Sequence, residues 1–162
     1  MYKIFIDGST KIKNQKNTNN IGGFGYVVYN EEGHIIDAYS ERAFNTTNNR
    51  MELMALYAVI QKYGVDSVFS PNISTVYTDS AYAMNCLISW SDTWRKNDWM
   101  TLSGKPVENQ DIIIPMYETY WNDHFILIEK CKGHSGIEGN ELADKLATGE
   151  ITPEEVMEKY GN

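Results

Sequence analysis

The 162-residue sequence predicts an α/β fold in which a five-stranded mixed sheet is flanked by helices. Three β-type segments, rich in branched and aromatic residues and separated by turn-type residues, come first. Apolar residues then recur at helical spacing, and two further β-type segments alternate with helical ones. This order predicts that the first three strands form an antiparallel meander and that the last two are parallel.

The first predicted strand ends at Asp7, where Gly8 and Ser9 follow a mostly apolar run. Because apolar residues occupy both of its faces, we expect this strand to be interior to the sheet. A long polar loop follows, and a tight turn over residues 30–33 joins the next two strands. The predicted strands cover residues 2–7, 23–30, 34–44, 73–79 and 124–133.

The helical segments carry signals for their ends. Thr47 or Asn48 can cap the first helix, Gly64 can end it, and Ser80 can cap the second. Glu52 is then expected in the first turn of its helix, where the helix dipole favours an acid. The predicted helices cover residues 45–64, 80–90, 109–121, 141–149 and 152–160.

Length and composition predict one domain, with a core over residues 1–148 and an acidic, helical tail over residues 149–162. The formal charge of −8 argues against binding a polyanion through net charge, although the last thirteen residues carry −3 of it. No segment has the length and apolar character of a membrane span, and the first residues lack a signal-peptide pattern. The two cysteines have no metal-ligand spacing. We therefore expect a cytoplasmic protein with reduced thiols.

Four acids are candidates for one shared site. A helical crossover makes the first and fourth strands parallel neighbours, so Asp7 and Asp79 are expected side by side at one edge of the sheet. Glu52 lies on the covering helix, and Asp144 lies on the helix after a glycine-rich loop. Each acid alone is explained as well by a cap or a solvated position. Together they offer oxygen ligands that suit Mg²⁺ or Mn²⁺, and two such ions are a standard device for phosphodiester cleavage.

Four sequence blocks occur in the order IDGS, TTNNRMEL, YTDSAY and KGHSGIEGNELAD. In order and spacing they resemble the active-site blocks of type 1 ribonuclease H over residues 1–148. The resemblance implies the ribonuclease H-like fold and endonucleolytic cleavage of the RNA strand of RNA/DNA hybrids. It also implies a two-metal mechanism, with Mg²⁺ or a substituting Mn²⁺, that leaves 5′-phosphate and 3′-hydroxyl ends.

The same resemblance assigns catalytic residues. It matches Asp7, Glu52, Asp79 and Asp144 to the metal-binding acids of the family. It matches His134 to a histidine on a mobile loop that assists proton transfer or product release. The glycines on both sides of His134 and the ordinary pKa of histidine suit a proton shuttle, although a plain loop position explains this residue as well.

The resemblance further implies contacts with the substrate. Asn48 and Asn49 match a pair that reads the minor groove of the hybrid, where 2′-hydroxyls are exposed, although a helix cap also explains such a pair. The backbone around Ser9 is expected to meet the RNA strand. Asn140, one helical turn before Asp144, could orient that acid or the substrate.

Residues 90–109 resemble a basic protrusion of cellular family members, which we call the handle. Asp92 and Asp98 dilute its positive charge. We expect Trp90 to hold the handle to the core, and other handle residues to contact the DNA strand and its phosphates. The expected handle contacts are Trp94, Arg95, Lys96, Trp99 and Lys105.

Two other functions remain open from the sequence. One is a hybrid-binding module without catalysis, which the complete set of four acids disfavours. The other is a DNA-cutting nuclease of the same fold, which the pair Asn48 and Asn49 and the loop around His134 disfavour. The expected partner is an RNA/DNA hybrid, no membrane is involved, and we expect a monomer.

Overall fold

The computed structural model describes residues 1–12, 21–64, 73–122, 126–131 and 136–161. Its strands are β1 (Lys3–Ser9), β2 (Gly22–Tyr29), β3 (Ile35–Ala43), β4 (Ser74–Thr78) and β5 (Ile126–Lys130). They form one sheet in the order β3-β2-β1-β4-β5. The pairs among β1, β2 and β3 are antiparallel, whereas β4 runs parallel to both β1 and β5. The predicted mixed sheet is confirmed.

The helices of the described ranges are α1 (Asn48–Tyr63), α2 (Ala81–Asn85), α3 (Ser91–Lys96), α4 (Gln110–Asn122), α5 (Glu138–Thr148) and α6 (Pro153–Tyr160). A π-helical turn, Cys86–Trp90, joins α2 to α3. None of the helices in these ranges has both the length and the apolar character needed to cross a membrane. Most of the predicted polar loop after β1 and half of the glycine-rich loop before α5 lie outside the described residues.

The core has one part on each face of the sheet. On one face, Ile4 and Ile6 pack with Leu53 of α1 and with apolar residues of α4. On the other face, Phe5 packs with Leu142 and other apolar residues of α5 and α6. β1 is therefore buried on both faces, as expected for an interior strand.

β1 runs two residues further than predicted. We expected Gly8 and Ser9 to end the strand after Asp7, but Asp7, Gly8 and Ser9 continue to pair with residues 23–25 of β2. A glycine weakens a strand but does not end it where an antiparallel partner continues to supply hydrogen bonds. The predicted end of β1 was therefore wrong by two residues.

The start of α1 also differs from the prediction in one respect. Thr47 is its N-cap, as predicted, because its Oγ1 accepts a hydrogen bond from the Arg50 N–H at 3.2 Å. Since the helix begins at Asn48, its first turn contains no acid, and Glu52 lies in the second turn. The prediction of a first-turn Glu52 was wrong. Gly64 ends the helix, as predicted.

Two other helices differ from their predicted bounds. Ser80 caps α2, as predicted, by accepting from the Ala83 N–H at 3.0 Å. The single helix predicted over residues 80–90 is instead α2 followed by the π-helical turn. α5 begins at Glu138, three residues before its predicted start.

The C-terminal segment is part of the core. Its helix α6 is confirmed, with a capping box between Thr152 and Glu155. Ile151 and Val156 are buried with the apolar residues between the sheet and α5. The expected division at residue 148 therefore does not separate a core from a tail.

Candidate active site

α1 lies directly on the end of β1 because residue 8 has no side chain. A Cβ at Gly8 would lie 2.4 Å from the backbone nitrogen of Glu52 and 2.4 Å from the backbone carbon of Met51. Real Cβ atoms do not approach backbone so closely, so only glycine permits this contact. The contact brings the Glu52 carboxylate beside that of Asp7.

Parallel strand pairing brings a third acid to the same place. β1 and β4 pair Phe5 with Tyr77, so Asp7 and Asp79 lie level with each other two residues further on. Carboxylate oxygens of Asp7, Glu52 and Asp79 all lie within 4.8 Å of one another. We call these three residues the acidic cluster. The structure thus brings together three of the four acids predicted to share a site.

Asp7 and Glu52 of the acidic cluster hold their protons more tightly than free carboxyls do. Burial raises the pKa of Asp7, and the charges of Asp79 and Asp144 raise it further. Hydrogen bonds from the Glu52 carboxyl and from the Gly8 N–H, the latter at 2.9 Å, oppose this rise. The pKa of Glu52 is raised by burial first, and then by Asp7 and Asp79. Without a cation, the cluster therefore retains protons at a pH where exposed carboxyls have lost theirs.

The donor atoms of the acidic cluster fit a divalent cation. Oε2 of Glu52 is buried and has no hydrogen-bond partner among the described residues. A buried polar atom left unpaired costs about 1–3 kcal/mol, a cost that a bound cation removes. The grouped ligand atoms are all carboxylate oxygens. Such a set suits Mg²⁺ or Mn²⁺ rather than Zn²⁺.

Asp144 stands apart from the other three acids. It projects from α5 and lines the same cleft as the acidic cluster. Its carboxylate is not among the oxygens that lie within 4.8 Å of one another. Asp144 is therefore placed at the side of the cluster, where its charge still acts on Asp7.

Two other predicted site residues, Asn140 and His134, lie in the glycine-rich block KGHSGIEGNELAD. Asn140 is buried, and its Oδ1 accepts a hydrogen bond from the Cys131 thiol at 3.6 Å. It is not among the described residues that line the cleft, and its predicted role in orienting Asp144 or the substrate stays a prediction. His134 lies outside the described residues, and its role stays a prediction.

The acidic cluster lies in a cleft of about 680 Å³. Ser9, Asn48 and Asn49 line this cleft, at positions where the predicted substrate contacts are possible. Lys11 and Thr148 line it as well, and they were not among the predicted site residues. The position of Lys11, four residues after Asp7, was the available signal, whereas nothing in the sequence around Thr148 indicated it.

Arg50 has a structural role beside the cleft. Its guanidinium donates two parallel hydrogen bonds to the Asp111 carboxylate, at 2.9 and 2.7 Å. A third bond reaches Asn109 Oδ1 at 3.2 Å. These bonds fix the start of α1, which carries Asn48 and Asn49, against the start of α4.

The predicted roles of the handle tryptophans were partly reversed. Trp90, expected to hold the handle to the core, is 39% exposed. Trp94 and Trp99 are partly buried and pack against the core. The π-helical turn explains the difference, because its extra residue per turn rotates Trp90 away from the position that an α-helix would give it. The proposed contacts of Trp94 and Trp99 with DNA stay predictions.

The charges of the handle are largely paired with one another. Asp92 forms ion pairs with Arg95 at 3.3 Å and with Lys96 at 3.1 Å. The Arg95 Nε also donates to the Tyr117 hydroxyl at 2.9 Å. Lys105 is exposed. The handle therefore presents less free positive charge than its content of basic residues indicates.

The fold and the acidic cluster together are those of a nuclease: the carboxylates of Asp7 in β1, Glu52 in α1 and Asp79 directly after β4 meet in an open cleft. The family model for RNase H matches residues 1–152. The chain belongs to the RNase H family.

Three known proteins illustrate the similarity. Ribonuclease H of Haemophilus influenzae (strain 86-028NP) is 37% identical over 146 residues, which cover 90% of this chain and 86% of the relative. The PFV RNase H domain, solved in solution, is 27% identical with a TM-score of 0.74, covering 91% of this chain and 92% of the domain. A foamy viral protease–reverse transcriptase in complex with an RNA/DNA hybrid is 22% identical with a TM-score of 0.76, covering 91% of this chain and 19% of that protein. This last likeness shows the fold alone.

Proposed function

We propose that the protein is an endoribonuclease that hydrolyses the RNA strand of RNA/DNA hybrids and leaves 5′-phosphate and 3′-hydroxyl ends. The observation that carries the proposal is the acidic cluster, whose three carboxylates lie within 4.8 Å of one another in an open cleft. The relatives named ribonuclease H support the reaction.

Asp7, Glu52 and Asp79 would hold two divalent cations, with Asp144 as a further ligand from the side of the cleft. When bound, two such cations lower the pKa of an attacking water and stabilise the charge on the leaving oxygen. We propose Mg²⁺ as the ion used, with Mn²⁺ able to replace it, because both prefer carboxylate oxygens.

The protein's own contribution is to hold the acids in place before substrate arrives. The Gly8 N–H fixes one oxygen of Asp7, and the packing of α1 on Gly8 fixes Glu52. Both carboxyls must release their protons when a cation binds, because burial and mutual repulsion raise their pKa in its absence. Fixed ligands need little reorganisation during the reaction.

Selection of the RNA strand is proposed to depend on the rim of the cleft. Asn48 and Asn49 present amide groups there, suited to 2′-hydroxyls and base edges in the minor groove. Ser9, the last residue of β1, would meet the RNA backbone. The handle would contact the DNA strand through Trp94, Trp99 and the basic residues Arg95, Lys96 and Lys105.

Three further parts of the proposal rest on the sequence. His134 would assist proton transfer or product release, so its loss is expected to slow turnover without abolishing it. The protein is proposed to act as a monomer, because the acids that form the site come from one chain. Its cytoplasmic location stays a prediction.

The experiment uses labelled RNA/DNA hybrid, duplex DNA and duplex RNA of the same sequence, at low salt with Mg²⁺ and then with Mn²⁺. Wild type is compared with Glu52→Gln, and with Glu158→Gln as a matched control on an exposed position of α6. We expect selective cleavage of the hybrid's RNA strand by wild type and Glu158→Gln, and loss of cleavage in Glu52→Gln.

Two results would contradict the proposal. Cleavage of duplex DNA at a rate equal to that of the hybrid would identify a different nuclease on this fold. Tight hybrid binding without cleavage, with either metal, would identify a binding module instead.

A further inference from the structure

We propose that Thr10 is a positioning residue for Asn48, and that it turns Asn48 into a group that only donates hydrogen bonds to the substrate. This inference rests on the proposed function and names a residue that sets how the cleft reads its substrate. Thr10 lies in the turn directly after β1, and Asn48 is the first residue of α1. They are 38 positions apart in the chain.

Two hydrogen bonds join these residues. The Thr10 backbone N–H donates to Asn48 Oδ1 at 2.8 Å, and the Thr10 hydroxyl donates to the same oxygen at 2.9 Å. The turn that presents Thr10 is itself fixed, because the Lys11 N–H donates to Ser9 Oγ at 2.9 Å. The Asn48 oxygen therefore has a bond for each of its two lone pairs.

The bonds also fix which way the Asn48 amide points. The oxygen and nitrogen of an asparagine amide are assigned from their partners. A backbone N–H can only donate, so the amide atom that faces Thr10 must be the oxygen. The NH₂ group of Asn48 is consequently directed away from Thr10, and Asn48 lines the cleft.

A donor-only amide recognises acceptors. In the minor groove of a hybrid, every base pair presents acceptor atoms, and each ribose adds a hydroxyl oxygen. An amide held in this orientation can therefore bind at any sequence, as a nuclease of broad sequence range requires. If Asn48 rotated freely, half of its orientations would present an oxygen to these acceptors and would be repelled.

The Thr10 hydroxyl could have a purely structural role instead, tying the turn after β1 to α1. The two roles predict different coupling between substitutions at Thr10 and Asn48 in their effects on KM. A structural tie acts on stability whether or not Asn48 binds substrate. A positioning role acts on substrate only through the Asn48 amide, so it disappears when that amide is absent.

The test is a double-mutant cycle measured as kcat and KM on the RNA/DNA hybrid, with thermal unfolding of each variant. Thr10→Val removes the hydroxyl but keeps the backbone donor. We expect it to raise KM by about threefold to tenfold, the range of one lost hydrogen bond, with kcat changing less. Thr10→Ser restores the hydroxyl and is expected to restore KM.

In the Asn48→Ala background, adding Thr10→Val is expected to leave KM unchanged. A matched control is Thr119→Val, which removes a hydroxyl bonded to the Pro115 carbonyl at 2.9 Å in α4, away from the described lining of the cleft. This control should leave KM at the wild-type value.

The outcomes separate the two proposals. If wild type cleaves the hybrid but Thr10→Val has the KM of wild type, or raises KM equally in both backgrounds, the positioning role of the Thr10 hydroxyl is overturned and the proposed function still stands. A wild type that neither binds nor cleaves the hybrid overturns both.

Discussion

Replacing Asp79 by asparagine should stabilise the metal-free protein and weaken its response to Mg²⁺. Two full negative charges 4.8 Å apart, the outer limit in the acidic cluster, repel by about 3.5 kcal/mol at an effective dielectric constant of 20. Asp7 avoids part of this repulsion by retaining its proton, since its pKa is raised. We therefore expect Asp79→Asn to stabilise the metal-free protein by about 1–2 kcal/mol, which raises Tm by about 3–6 °C.

The metal response is expected to change in the opposite direction. Mg²⁺ at a hundred times its Kd stabilises a protein by about 2.7 kcal/mol, or about 5–10 °C for a chain of this length. Asp79→Asn removes a ligand, so we expect less than half of this shift in the variant.

The assay is thermal unfolding in EDTA and over a series of Mg²⁺ concentrations. Asp98→Asn serves as the control, because this residue is exposed and its φ of 52° is a conformation that asparagine tolerates. An equal increase in Tm on adding Mg²⁺ in wild type and in Asp79→Asn would refute the assignment of this site.

Three further predictions concern the cluster, the handle and the C-terminal helix. In the folded chain the pKa of Asp7 is raised to about 7 and that of Glu52 to about 10. The metal-free protein should therefore lose stability as pH rises from about 4 through about 7 for Asp7 and on to about 10 for Glu52, and the increase in Tm on adding Mg²⁺ should grow with pH. A Mg²⁺ shift independent of pH would contradict this. Asp92→Asn should free its two cationic partners and tighten hybrid binding by about twofold to fivefold, with a steeper salt dependence in a titration followed by fluorescence anisotropy. Unchanged affinity would mean that these cations do not meet the substrate. Val156→Ala should destabilise the protein by about 2 kcal/mol in urea unfolding, because this side chain is buried, whereas Lys159→Ala on the exposed face should have little effect. Equal stability of the two variants would show that α6 is not part of the core.

Features that depend on nearby residues were predictable from the sequence. Thr47, Ser80 and Thr152 cap their helices because a side-chain oxygen reaches an N–H three residues further on. The level placement of Asp7 and Asp79 followed from the parallel crossover between β1 and β4. These inferences needed only chain order and local geometry.

Features that depend on contacts between distant residues were not predictable in this way. The bond from Thr10 to Asn48 joins two segments whose approach depends on the contact between Gly8 and α1. Where this bond forms is set by tertiary packing, and no local sequence pattern indicates it. The convergence of Glu52 with the two aspartates was predicted from its place on the helix that covers the strand ends, but the close contact between Gly8 and α1 that sets its position was not.

Two errors had local causes that the sequence conceals. The π-helical turn before Trp90 shifts the helical phase, so spacing alone gave the wrong face for this residue. The C-terminal segment was read as a tail because its acids dominate the composition. Among its described residues, Ile151 and Val156 are buried and Met157 packs against them, and so few apolar residues give a weak periodic signal.

The most direct test of the central claim is anomalous diffraction from crystals of the Asp144→Asn variant with an RNA/DNA hybrid and Mn²⁺. Asp144 lies outside the tightly grouped oxygens, so this variant should retain the acidic cluster while slowing the reaction. We expect two Mn²⁺ peaks between the carboxylates of Asp7, Glu52 and Asp79 and one phosphate of the RNA strand. The absence of peaks there, or peaks only at other sites, would contradict the claim that this cluster is the catalytic centre.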